Sequence, residues 1–80
     1  MNKEELTMIS FEIVSYAGDA RSKLLLALEK AKQGLFEECD ALIAAANECL
    51  VSAHNAQMDV MQAEASGQVV EMGYIMVHAQ

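Results

Sequence analysis

Proline and tryptophan are absent from the 80 residues, and aromatic side chains make up only 5% of them. What remains is rich in Ala, Leu, Glu and Met and 54% apolar, which is the palette of helices packed on helices. Basic side chains are also scarce: five Lys and Arg stand against twelve Asp and Glu, a formal net charge of −7. Such a surface repels phosphate backbones and anionic lipid, which argues against nucleic acid and membrane surfaces as partners and for a partner with a basic patch. Only two cysteines occur, Cys39 and Cys49, ten residues apart in what reads as one helix. That separation rises about 15 Å, beyond the reach of a disulfide, so reduced thiols in a cytoplasmic protein are expected. The polar start Met1-Asn2-Lys3-Glu4-Glu5 lacks an apolar signal region, and charges interrupt every apolar run before it reaches the length of a membrane span. One small domain, 1–80, is the expectation.

Two helices account for most of the chain. Asn2 followed three residues later by Glu5 fits an Asn variant of the capping box, and Glu4 and Glu5 suit the positive end of a helix dipole. Leu6, Ile9, Ile13, Tyr16, Ala20, Leu24, Ala27 and Ala31 then recur at spacings of three and four, an amphipathic helix over about seven turns. Gly18 inside it reads as a point of close backbone approach, and Gly34 as the residue just past the helix end. A second helix begins near Leu35 or Phe36, with Glu37, Glu38 and Asp40 in its first turn. It is marked by Leu42, Ile43, Ala46, Leu50, Ala53, Gln57, Val60 or Met61, and Glu64, and it ends at Ser66-Gly67. The predicted architecture is therefore all-α, an antiparallel hairpin with helices over about 3–33 and 35–66, because so short a connection turns the chain back on itself. Apolar residues such as Leu24, Leu25, Leu26 and Leu28 cover more than one stripe, so the hairpin needs a third helix or other subunits. After Gly67 the run Tyr74-Ile75-Met76-Val77 does not decide between a strand and the first turn of another helix.

The foremost candidate for chemistry is His78, delivered by that apolar run and followed by Ala79-Gln80. A neutral imidazole can attack a phosphoryl or acyl group, move protons or bind metal, and Gln80 can fix its tautomer or hold a phosphoryl oxygen. The plain alternative is a terminal histidine in a frayed tail. His54 shares neighbouring helical rows with Asn47, Gln57, Met61 and Glu64, either a polar network supporting a site or an ordinary semi-exposed row. Cys39, Cys49, His54 and His78 show neither CxxC nor HxxxH spacing, which argues against a structural zinc site. In Ala17-Gly18-Asp19-Ala20-Arg21-Ser22, Arg21 can bind a phosphoryl group, or the small residues can simply permit tight packing. A Gly-rich phosphate loop, a triad ordering and an HExxH are all missing.

Taken together, several segments resemble the lactose/cellobiose-type IIA component of the bacterial phosphoenolpyruvate-dependent sugar phosphotransferase system, the lactose-specific member above all. They are Phe11-Glu12-Ile13-Val14 with Tyr16-Ala17-Gly18-Asp19-Ala20-Arg21-Ser22, Ala53-His54 with Gln57, Glu64-Ala65-Ser66-Gly67, and Val77-His78-Ala79-Gln80. The resemblance implies a cytoplasmic three-helix bundle that assembles as a homotrimer. It implies that the histidine of the family's His-x-Gln-Asp-His motif accepts a phosphoryl group from the phosphocarrier protein HPr, through Nε2, and passes it to a cysteine of the IIB component. IIB and the membrane-spanning IIC then phosphorylate the incoming sugar, here lactose or a related β-disaccharide. His78 stands at the acceptor position and Gln80 at the motif's Gln; His54 and Gln57 are the next candidates, as polar support. This sequence departs from the family in three places: it stops at Gln80, so the third helix is missing or only begun, the motif's Asp has no counterpart, and Met58 stands where a Thr is usual. Because that Asp contributes to the family's metal site, no metal or other cofactor is expected. The competing reading is a non-catalytic helical oligomerisation module or an inactive truncated remnant.

Overall fold

The computed structural model describes residues 1–67, which form two helices joined by a tight turn. Helix α1 spans Lys3–Lys32 and helix α2 spans Phe36–Ala65, each of 30 residues, within one or two residues of the bounds expected from the sequence. The ends of α1 are set by local chemistry. Asn2 takes an extended conformation and its Oδ1 accepts the backbone N–H of Glu5 at 2.8 Å, satisfying one of the N–H groups that a helix leaves unpaired. At the other end the N–H of Leu35 reaches the carbonyl of Lys30 at 2.9 Å and that of Gly34 reaches Ala31 at 3.0 Å. This paired pattern needs a left-handed residue between the two, and Gly34 supplies it with φ 77°. Gly67, at φ 80°, plays the same part after α2.

The helices run antiparallel along their whole length, as a rod with extents of 50 × 15 × 15 Å. The buried residues of α1 are Leu6, Ile13, Ala20 and Ala27, each seven residues after the last. In α2 the row Cys39, Ala46, Ala53, Val60 and the row Leu42, Cys49, Ala56, Ala63 repeat at the same interval and are buried or half-buried throughout. A seven-residue repeat falls short of two full α-helical turns, so the helices wind gently around each other to keep one seam in contact. With that seam as positions a and d, Leu6 and Val60 are both a. Leu6, Ile13 and Val60 form the bulky part of the core, with Met1, Ile9, Ala53 and Ala56 packed against it.

Two expectations are corrected and one open alternative is resolved. Leu24 and Leu50 are not core residues: they are 44% and 46% exposed, because the 3.5-residue seam drifts away from them relative to a straight helix. Val60 and not Met61 faces the partner helix, and Ala63, unmarked in the sequence, is buried. Gly18 meets no close neighbour, since a Cβ built on it finds nothing within 4 Å among the described residues. The segment Tyr74–Val77, and with it any third helix, lies outside the described residues.

Candidate functional site

The two sides of the seam differ in chemistry. In an antiparallel pair the e positions of both helices flank the seam on one side and the g positions on the other. The g side is mostly polar: Glu5, Glu12 and Asp19 follow one another at seven-residue intervals on α1, and Glu38, Ser52 and Asp59 share the corresponding row of α2, with Ala45 between the first two. A shallow groove runs there between Glu12, Tyr16, Ser52, Asn55 and Asp59, with the Tyr16 hydroxyl donating to Glu12 Oε1 at 3.4 Å. Of the residues named from the sequence, Ile9, Glu12 and Tyr16 line this groove, whereas His54, Gln57 and Arg21 do not.

The opposite side, at positions e, b and f, is largely apolar and open. Phe11, Val14, Leu24, Leu25 and Leu28 of α1 and Ile43, Leu50, Val51, Met58 and Met61 of α2 are all exposed there. His54 sits in the middle of this surface on α2, one turn from Leu50, Val51, Met58 and Gln57. The structure thus brings the predicted polar row onto one face: Asn47, His54 and Met61 share position b, and Gln57 and Glu64 share position e. His54 is exposed and Gln57 half-buried, and neither side chain makes a hydrogen bond among the described residues. His54 and Gln57 therefore share a face without forming a bonded pair. Arg21 lies on the same side of α1 and is also exposed.

Glu64 is the residue that sequence reasoning undervalued. It occupies the last turn of α2 and its Oε1 is shut off from solvent without a hydrogen-bond partner among the described residues. The signal in the sequence was present but faint: Glu64 is the only acid in the row that also holds Gln57, and a carboxylate there faces the apolar side. Among the described residues no group of three His, Cys, Asp or Glu converges as a metal site would require. His78 and Gln80, the predicted acceptor and its helper, lie outside the described residues. No described helix is long and apolar enough to cross a membrane.

Charge is distributed unevenly as well. In α1 five bases, Lys3, Arg21, Lys23, Lys30 and Lys32, balance five acids. In α2 six acids, Glu37, Glu38, Asp40, Glu48, Asp59 and Glu64, meet no Lys or Arg at all.

Comparison with known proteins places this hairpin. Residues 8–80 match the family model described as "PTS system, Lactose/Cellobiose specific IIA subunit". The whole chain is 49% identical to the lactose-specific EIIA component of the PTS system of Streptococcus mutans, covering 77% of that protein. It is 48% identical to the protein of that name in Lactococcus lactis subsp. lactis and 46% identical to the one in Staphylococcus epidermidis, covering 76% and 77% of them. Similarity of this extent, carried by the helices that frame the exposed apolar side and by the segment beyond Gly67, makes the chain a member of the lactose/cellobiose-specific IIA family of the sugar phosphotransferase system.

Proposed function

We propose that this chain is a cytoplasmic phosphocarrier: it accepts a phosphoryl group from HPr on His78 and passes it to the cysteine of a IIB component during uptake and phosphorylation of lactose or a related β-disaccharide. The observation that carries the reading is the match over residues 8–80, which takes in His78 and Gln80 as well as both helices. The chemistry is modest in its demands. Phosphoryl transfer between carriers needs a positioned nucleophile and donors for the phosphoryl oxygens, with little covalent machinery beyond that. His78 supplies the first and the Gln80 amide the second. His54 and Gln57, on the open apolar side, support the site when that side is covered.

Covering it is the role of assembly. A hairpin that leaves Phe11, Leu25, Leu28, Ile43, Leu50 and Met61 in water gains free energy by burying them. A homotrimer is the arrangement we assign to it, with IIB and membrane-bound IIC as downstream partners and no metal or cofactor. The acid-only helix α2 suits a carrier that meets partners through basic patches and has no business with nucleic acid. A chase experiment tests the reading. The chain is labelled with phosphoenolpyruvate, enzyme I and HPr, and then mixed with IIB. Label on the parent should move to IIB and His78→Ala should take up none; His54→Ala should still be labelled. Equal labelling of the two variants would sink the assignment of His78.

A further inference from the structure

The open side of the hairpin is apolar at its centre and charged only at its rim. Phe11 and Val14 of α1 and Leu50, Val51, Met58 and Met61 of α2 are exposed there, Phe11 to 70%. Within this patch His54 is the one titratable side chain among the described residues. On α1 the e, b and f positions level with it are Ser10, Phe11, Val14, Ala17 and Gly18, none of them charged. The nearest charges on this side are Glu4 and Arg21 of α1 and Asp40 and Glu64 of α2. Glu12, Tyr16, Cys49 and Asp59 belong to the seam or to its g side.

The rim says what fits this surface. On the open side α1 carries Lys3, Arg21 and Lys32 against a single acid, Glu4, whereas α2 carries Glu37, Asp40 and Glu64 and no base. The opposite side, at positions g and c, holds acids on both helices and no Lys or Arg. Two copies meeting there would repel each other. On the open side, α1 of one copy meets α2 of another with opposite charge. An apolar centre inside a complementary charged rim is the anatomy of a protein interface, and a second copy of this chain supplies the match.

We infer that His54 makes this contact between copies sensitive to pH: the neutral imidazole is taken into the contact, and the protonated one opposes it. The inference rests on the assembly assigned above. Covering the patch strips water from the imidazole, the patch itself offers it no carboxylate, and desolvation disfavours the charged form. A copy whose His54 is protonated must give up that proton to join. Association is therefore strongest above the range in which an ordinary imidazole gains its proton, about pH 6.5, and weakens as pH falls through it. General charge repulsion predicts the reverse, because a chain of net charge −7 becomes less negative as pH falls.

Sedimentation equilibrium of the 80-residue chain at about pH 7.5 and about pH 5.5, at fixed salt, tests the inference. The parent should associate about tenfold more weakly per copy at the lower pH, the factor lost when an ordinary imidazole must shed its proton on joining. Helix content by circular dichroism should be the same at both. His54→Gln should associate equally at the two pH values, and His54→Arg, charged throughout, should already be weak at the higher one. His78→Ala should keep the parent's dependence. The inference is overturned by a parent that associates equally at both values or more tightly at the lower. It is equally overturned by a His54→Gln chain that keeps the dependence or a His78→Ala chain that loses it. A parent that stays monomeric at both values overturns it together with the assembly, and leaves the labelling of His78 to be read on its own.

Discussion

At the terminal end of the hairpin the seam is filled by Leu6, Ile13 and Val60, whereas from its middle to the loop the same positions hold Ala20, Ala27 and Ala46. One spacing thus serves two kinds of packing. Where the side chains are large they bury apolar area between the two helices themselves, and the hairpin is stabilised from within. Where they are alanines the helices have little to bury against each other, and the large residues, Leu24, Leu25, Leu26, Leu28, Leu35 and Phe36, lie outside. The terminal end is therefore self-sufficient, and it is also the end that holds Glu64 and launches the segment bearing His78. The loop end depends on whatever covers it.

Substitutions can break this contrast. Leu6→Ala removes a side chain that is 1% exposed and should destabilise the chain by about 2–5 kcal/mol in urea unfolding, the usual scale for a buried leucine. Overpacking probes the alanine seam: Ala46, at 0% exposure, has no room for a larger group. Ala46→Leu should cost about 1–3 kcal/mol and push the helices apart. If it were tolerated without loss, the close approach of the helices at that level would be wrong. Asn2→Ala removes the hydrogen bond to Glu5 and should cost about 1 kcal/mol at the terminal end. The smallest effect belongs to the loop end. Leu25→Gln with Leu28→Gln changes two exposed residues and should shift the unfolding of dilute chain by no more than about 0.5 kcal/mol each. The same pair should weaken self-association measured by sedimentation. A large loss of stability in dilute solution would mean that these leucines are already packed.

Much of the contrast could be read before any coordinates. Asn2 and Gly34 mark the limits of α1 because caps are local: an Asn side chain bonds to a backbone three residues on, and a left-handed turn selects glycine. Both helices and their antiparallel return followed from such signals. What could not be read was which apolar residues face inward when too many compete. Ala20, Ala27 and Ala46 fit the same helical stripes as Leu24 and Leu50, so periodicity alone marked them all; the winding of the pair keeps the alanines in the seam and leaves the leucines outside. Glu64 was legible only as a member of a polar row, since whether an acid is paired depends on its neighbours in space. His54 and Gln57 were correctly placed on one face, but their lack of a mutual hydrogen bond is a matter of side-chain geometry that spacing does not determine.

The central claim is that His78 carries a phosphoryl group, and intact mass reads it most directly. The 80-residue chain is incubated with phosphoenolpyruvate, enzyme I and HPr, beside His78→Ala, and both are weighed before and after mild acid. The account predicts one acid-labile phosphoryl group on the parent and none on the variant. A folded parent whose mass does not change, or a variant labelled as fully as the parent, would contradict it.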